Sequence, residues 1–285
     1  MNARLLAGGL GAGLASGGLL WLARRRVEDM RMAEAMPGAE RVMTVGGVGI
    51  YKVGNALVFE CGATVDADGS PNAYGPPSRP GIDYLANAGG PGNWYGVVTD
   101  DGTKSGNPVV QGPSDPSPGR YVSATALSNP AYPRTNPRRY VDAEKVPFTA
   151  LPPELVKLAP VGSLARMERG GRSVWGVVAD VGPRGKVGEL SVAAAVALGI
   201  SSSPKSGGVS SGVRYTVYLG TADRLRASAS AAELASAGAA HLRSLGAAAA
   251  VAVGGRYWWV EDNLEACQGS ALSALAGARE DKEKT

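Results

Sequence analysis

Residues 161–200 constrain the fold more than any other part of this chain. Two short apolar runs, 161–168 and 172–180, are separated by Gly170-Gly171, a dipeptide that suits a two-residue hairpin turn. The second run ends at Asp180. The stretch therefore predicts a β-hairpin whose second strand delivers a carboxylate to its end.

A turn and a short helix follow that hairpin. The turn is Gly-Pro-Arg-Gly-Lys at 182–186, and Glu189 then precedes an Ala-rich segment that stops at Gly199. We expect a helix over 191–198 with Glu189 near its start. Two acids thus lie nine residues apart across a strand–turn–helix corner.

Composition favours a β-containing fold with many loops. The 285 residues include 41 Gly and 19 Pro but only 2 Phe, so turns are frequent and bulky core side chains are few. The fold class we predict from these features is mainly β with peripheral helices (α+β) and long loops. We expect no internal repeat.

Further strands and helices are expected along the chain. Strands are predicted near 47–52 and 56–64 around a turn at Gly54-Asn55, and 66–119 is predicted to consist of short strands and long loops. The remaining expectations are extended segments at 121–127 and 140–148, a short helix near 153–158, a strand at 214–219, a helix over 229–244, a hairpin over 248–260 and a helix over 263–277.

Histidine, cysteine and charge limit the chemistry. The one histidine, His241, lies in an Ala-rich segment, which argues against a Ser-His-Asp or Cys-His apparatus. Cys61 and Cys267 are too few for a structural zinc site and are either a disulfide pair or two unrelated thiols. The net charge is only +4 without a long basic run, so nucleic-acid binding is not expected.

The amino-terminal segment is apolar. Residues 5–23 carry no charge and are flanked by Arg4 and by arginines at 24–26. We predict a signal or membrane-anchor segment at 1–26, which would allow anchoring through 5–23. The alternative is a Gly-rich apolar tail on a cytoplasmic protein.

Asp180 and Glu189 are the first candidates for catalysis. Burial at a strand end would raise the pKa of Asp180, whereas a helix start would favour the charged form of Glu189. Carboxyls whose pKa values are pushed apart suit general acid and general base roles. The alternative is that both residues are structural, one in a turn and one at a helix start.

A second acidic pair lies in Val65-Asp66-Ala67-Asp68-Gly69. The spacing resembles the beginning of a calcium loop, but Pro71 and Pro77 stand where that loop needs its Gly and its closing Glu. An EF-hand is therefore not expected, and we predict no metal site and no cofactor for the chain. The pair is either an Asp-rich turn or a set of acids in a cleft.

The third candidate group combines Tyr140, Asp142 and aromatic side chains. Tyr140-Val141-Asp142-Ala143 is an acidic extended segment, and aromatic faces can bind sugar rings or simply pack in the core. The aromatic candidates are Tyr74, Tyr84, Trp94, Tyr95 and Trp175.

Taken in order, three motifs resemble the fungal-type chitosanases of glycoside hydrolase family 75 and their bacterial relatives. They are Val65–Gly69, Tyr140–Ala143 leading to Val146-Pro147, and Gly176–Ser191. The resemblance extends over roughly 55–220 and implies that Asp180 and Glu189 are the catalytic pair of an inverting enzyme. We assign Asp180 as the general acid. We expect substrate binding by the acids and Tyr140 of the first two motifs and by two of the aromatic candidates, that is by Asp66, Asp68, Asp142, Tyr140, Trp94 and Trp175.

The third motif is also similar to a pattern in double-psi β-barrels. Rare lipoprotein A-type lytic enzymes and expansins carry that pattern, and their functional acid corresponds to Asp180. Both resemblances imply a small closed barrel with a polysaccharide groove.

These expectations give one prediction for the whole chain. A signal or anchor at 1–26 and a linker at 27–40 precede a single chitosanase-like domain at 41–277, and a disordered tail covers 278–285. The predicted protein is secreted or membrane-anchored outside the cytoplasm and cleaves β-1,4 bonds of chitosan. The alternatives are a peptidoglycan hydrolase or lytic barrel, and a non-catalytic carbohydrate-binding protein.

Overall fold

A closed barrel of six β-strands forms the centre of the molecule, with further strands outside it. The computed structural model describes residues 30–31 and 35–249. The strands are β1 (Glu40–Val45), β2 (Val48–Val53), β3 (Ala56–Asp66), β4 (Gly89–Gly90), β5 (Asn93–Trp94), β6 (Phe148–Leu151), β7 (Leu164–Arg169), β8 (Arg172–Val181), β9 (Glu189–Ser191) and β10 (Val209–Tyr218). The helices are α1 (Pro153–Val156), α2 (Val192–Ala197) and α3 (Ala231–Ala249), with 3-10 helices at Leu85–Ala88, Pro137–Arg139 and Arg224–Ser228.

The barrel closes because β3 has a strand partner on each edge. Around the barrel the order is β3, β10, β7, β8, β6 and β9, and β9 then pairs with β3 in parallel. β2 also pairs with β3, and β1 extends that sheet outside the barrel. The predicted mainly β fold with a small closed barrel and long loops is confirmed.

The barrel interior is filled by large apolar side chains from the surrounding strands. Phe59 and Tyr215 stack there with ring centroids 4.9 Å apart, and Met167, Val178 and Leu190 are fully buried beside them. Burying each such side chain stabilises the fold by about 1.5–3 kcal/mol. This core fixes which strand residues point inward and therefore which ones point to the outer face.

Two other apolar clusters lie outside the barrel. One packs α3 against β8 and β10 and contains Leu234, Val177 and Tyr218. The other lies within the long loop region and centres on Tyr74 and Trp94. The loops at 67–127 therefore have a core of their own beside one end of the barrel.

Most strands follow the sequence expectations. The turns at Gly54-Asn55 and Gly170-Gly171 join antiparallel neighbours as predicted. β1 begins at Glu40, where we expected the linker to end, and β9 was not expected at all. The long helix α3 continues to Ala249, so the predicted hairpin does not begin at 248.

Several predictions concern other parts of the chain. The segment at 1–26, the rest of the hairpin beyond 249, the helix at 263–277, Cys267 and the tail at 278–285 lie outside the described residues. Across 30–31 and 35–249, no helix combines the length and apolarity needed to cross a bilayer.

Candidate active site

Asp180 reaches the outer face of the barrel through a β-bulge in β8. Val178 pairs with Thr149 and Asp180 pairs with Ala150, so Ala179 is an extra residue between them. Side chains alternate along a regular strand, which would point Asp180 into the barrel together with Val178. The extra residue instead leaves Asp180 on the outer face.

Glu189 lies on the other side of the same β6 residue. β6 lies between β8 and β9. Ala150 of β6 pairs with Asp180 of β8 on one side and with Glu189 of β9 on the other. Directly paired residues point to one face of a sheet. The two acids therefore share a face and have backbones two strand spacings, or about 10 Å, apart.

Asp66 joins that face from β3. Glu189 is paired with Thr64, and Asp66 follows Thr64 by two positions on the same side of the strand. Val65, between them, points into the barrel core. Three strands thus bring acids to one surface.

Asp66, Asp68 and Asp180 form the tightest part of this site. One carboxylate oxygen from each lies within 4.8 Å of the others. All three side chains are half-buried between the barrel and the loop region. An acidic group of this kind can hold a cation or share protons.

Burial and mutual repulsion raise the pKa values of these groups. Burial raises the pKa of Asp180 to about 7, and the charge of Glu189 adds to the effect, although backbone N–H groups of Val181 and Ala126 donate to Oδ1 at 2.7 and 3.0 Å. Burial, with the charge of Asp180, also raises the pKa of Asp66 well above its usual range. Asp180 is therefore protonated in a substantial fraction of molecules near neutral pH.

Asp68 is held by side chains of the loop region. Burial and the charge of Asp66 raise its pKa, while a hydrogen bond from the Tyr74 hydroxyl opposes that rise. Ser123 Oγ accepts the Gly69 N–H at 3.0 Å, and its one proton has two acceptors within reach, the Gly96 carbonyl at 3.0 Å and Asp68 Oδ1 at 3.3 Å. The loop region therefore fixes the orientation of this carboxyl.

The environment of Glu189 differs from the one we expected. The residue belongs to β9, and α2 begins three residues later with Ser191 as its N-cap, so the predicted helix-start environment is wrong. The side chain is 22% exposed, and Oε1 lies 3.7 Å from Lys186 Nζ. Its Oε2 lies against Gly182, where an added Cβ would be only 2.9 Å away.

The other predicted site residues have partners elsewhere. Asp142 Oδ2 forms an ion pair with Lys145 at 2.8 Å, and the Tyr140 hydroxyl donates to the Arg134 carbonyl at 2.8 Å. Trp94 is only 7% exposed in the loop core. Trp175 stacks on Tyr218 with centroids 5.4 Å apart and lies beneath α3.

The contributions of Ser123 and of the Ala126 N–H were not predicted. No pattern in the sequence indicates either contact, because both groups come close to the acids only when the loop region folds. The sequence also gives no sign of the bulge at Ala179, because a regular strand could have the same apolar run as β8.

A separate cavity lies around the β7–β8 turn. Its volume is about 420 Å³, and the charged residues that line it are Glu60, Arg166, Glu168, Arg169, Arg172 and Arg214. The turn is at the opposite end of β8 from Asp180, and the eight residue steps from Arg172 to Asp180 span roughly 26 Å at about 3.3 Å per residue. This cavity is therefore distinct from the acidic site.

Comparison with known proteins gives no assignment. Neither the models of known protein families nor the set of curated proteins contains a match to this chain.

Proposed function

We propose that this protein is an inverting glycoside hydrolase that cleaves internal β-1,4 bonds of chitosan or a related amino-sugar polymer. The observation that carries the proposal is the placement of Asp180 and Glu189 on one face, on either side of Ala150. Inverting glycosidases hold their two carboxyls about 6.5–9.5 Å apart, leaving room for a water molecule. Backbones two strands apart are compatible with that gap.

In this mechanism Asp180 is the general acid. Its pKa of about 7 keeps the proton on the carboxyl in weakly acidic solution. Asp180 donates that proton to the glycosidic oxygen as the C–O bond breaks, so the leaving sugar departs as a neutral alcohol.

Glu189 is the general base. Its Oε1 lies 3.7 Å from Lys186 Nζ, and the side chain is 22% exposed, so solvent water can reach it. Glu189 takes a proton from the water that attacks the anomeric carbon from the opposite side, and the product has the inverted configuration. One water is consumed for each bond cleaved, and the two carboxyls exchange protonation states through solvent.

Asp66 and Asp68 supply the charge that suits an amino sugar. Their carboxylates lie within 4.8 Å of that of Asp180. An ammonium group bound beside them would relieve the repulsion that raises their pKa values. A cationic polymer is therefore the preferred substrate class, and an extracytoplasmic location would suit an enzyme that acts on such a polymer.

A peptidoglycan-type substrate is the second candidate. The chain carries a net charge of +4, and the arginine-lined cavity at the β7–β8 turn is a cationic region outside the acidic site. These two features would suit a polymer with acidic substituents.

The full chain should be incubated separately with chitosan, chitin and peptidoglycan, and new reducing ends should be quantified. We expect release from chitosan, with the α-anomer as the first product in proton NMR. Release from peptidoglycan alone would select the second candidate. No release from any of the three polymers would overturn the hydrolase proposal.

A further inference from the structure

Two tyrosines are unusually exposed beside the acidic site. Tyr84 and Tyr95 are each 58% exposed, although the loop region around them has a well-packed core. Tyr84 is the N-cap of the 3-10 helix Leu85–Ala88, and Tyr95 follows β5. Large aromatic side chains exposed at the rim of a polar site often bind a ligand.

Tyr84 is joined to the acidic site through Asp83. The Asp83 carboxylate accepts the Tyr84 N–H at 2.7 Å and is held by Asn87 Nδ2 at 3.0 and 3.1 Å. Its charge contributes to the raised pKa of Asp66. Tyr84 therefore directly follows Asp83, whose negative charge acts on Asp66 of the acidic site.

Tyr95 is joined to the site through Gly96. An added Cβ on Gly96 would lie 3.2 Å from Asp68 Oδ1, so this backbone passes directly over the carboxyl. The N–H groups of Tyr95 and Gly96 both donate to the Ala88 carbonyl at 3.0 Å. The same 3-10 helix thus positions both tyrosines.

Both rings are held in place before any ligand binds. The Tyr95 hydroxyl donates to the Ala86 carbonyl at 3.3 Å. Lys205 Nζ lies 5.4 Å from the centroid of the Tyr84 ring and donates to the Gly81 carbonyl at 3.0 Å. Ordered rings lose little conformational entropy when a ligand stacks on them.

We propose that Tyr84 and Tyr95 form a stacking platform for the pyranose rings of an amino-sugar polymer next to the acidic site. This inference rests on the proposed function and adds the residues that bind sugar units beyond the cleaved bond. Lys205 Nζ lies 5.4 Å from the centroid of the Tyr84 ring, and the face of such a ring attracts cations, including the ammonium group of an amino sugar. Asp66 and Asp68 of the acidic site provide the complementary charge.

The test measures binding and turnover separately, using the full chain. Titration calorimetry with the hexamer of β-1,4-linked glucosamine would be done in the Asp180→Asn background, and kcat and KM would be measured on chitosan in the wild-type background. Tyr84→Ala and Tyr95→Ala are the test variants. Tyr84→Phe and Tyr95→Phe retain the rings, and Tyr132→Ala removes a tyrosine that is 38% exposed on another loop.

We expect each alanine variant to weaken hexamer binding about 5-fold or more. KM should rise by a similar factor with kcat changed less than about twofold. The phenylalanine variants should retain most of the hexamer binding, and Tyr132→Ala should behave like the parent. Hexamer binding that depends on the two rings without any hydrolysis would support the platform while overturning the enzyme. Unchanged binding in both alanine variants, or no hexamer binding in the parent, would overturn the platform.

Discussion

Asp180 and Glu189 pair with the same residue, Ala150, from strands on its two sides. The bulge at Ala179 makes this possible, because it turns Asp180 from the barrel interior to the outer face. The barrel thus supplies a rigid frame for two carboxyls whose spacing is set by backbone pairing. Loops add the remaining acids.

The pH dependence of turnover should report the titration of Asp180. A general acid must be protonated, and its pKa of about 7 predicts that kcat/KM falls as pH rises above that value. The decline should approach tenfold per pH unit in rates measured on a short neutral glycoside of the same linkage. Such a substrate avoids the titration of the sugar amine. A rate that stays constant up to pH 9 would contradict the acid role of Asp180.

Because of Asp180, the free energy of unfolding should fall as the pH rises. Its folded-state pKa of about 7 lies above the ordinary value of 3.8, so the folded protein binds this proton more tightly than the unfolded chain. Stability is therefore lost as pH rises from about 4 to 7, by at most about 4 kcal/mol from the two values. Asp180→Asn removes that loss and should raise the free energy of unfolding at pH 8 more than at pH 4.

Urea denaturation at the two pH values checks this expectation. Asp100→Asn is the matched control, because hydrogen bonds from Asn107 lower the pKa of the exposed Asp100. Its contribution to stability is lost only below about pH 4, so Asp100→Asn should change stability by nearly the same amount at pH 4 and pH 8. An Asp180→Asn variant that gains nothing at pH 8 relative to pH 4 would show that Asp180 is not buried as described.

Gly69 should tolerate substitution poorly. It has φ +80°, and an added Cβ would lie 2.0 Å from the Val141 carbonyl oxygen. Gly47 has a similar φ of +84° but nothing within 4 Å of an added Cβ. Gly69→Ala should therefore lower the free energy of unfolding by at least about 2 kcal/mol more than Gly47→Ala. Equal losses in chemical denaturation would contradict the close approach of the two chains.

Tyr74→Phe should raise the pKa of Asp68 further. The Tyr74 hydroxyl donates to the Asp68 carboxyl and favours its charged form, while the phenyl ring would retain the packing of this 2% exposed side chain. We expect the Asp68 carboxyl to titrate at a higher pH in the variant than in the parent. Carbon NMR of the carboxyl resonances measures it directly. An unchanged titration would show that the hydroxyl does not hold this acid.

The sequence predicted the parts of the fold that depend on local patterns. The hairpin at Gly170-Gly171 and the turn at Gly54-Asn55 have their own turn residues, and the apolar runs on either side follow strand patterns. By contrast, β9 has three residues and exists because β3 and β6 provide partners on both sides. No local signal distinguishes it from a helix start.

The candidate site was predictable residue by residue but not as an arrangement. Asp66, Asp68, Asp180 and Glu189 are visible as acids near turns. Their convergence depends on the bulge at Ala179 and on barrel closure, which no short motif encodes. The sequence alone does not distinguish buried from exposed aromatic residues. Trp94 and Trp175 pack in the fold, whereas Tyr84 and Tyr95 are exposed.

The most direct test of this account is turnover by carboxylate variants of the full chain on chitosan. Asp180→Asn and Glu189→Gln should each lower kcat by at least about 10³-fold, since each removes a proton-transfer step. Asp115→Asn, a control at an acid paired with Arg138 at 3.9 Å, should retain wild-type turnover. Wild-type rates in both the Asp180 and the Glu189 variant would contradict the account.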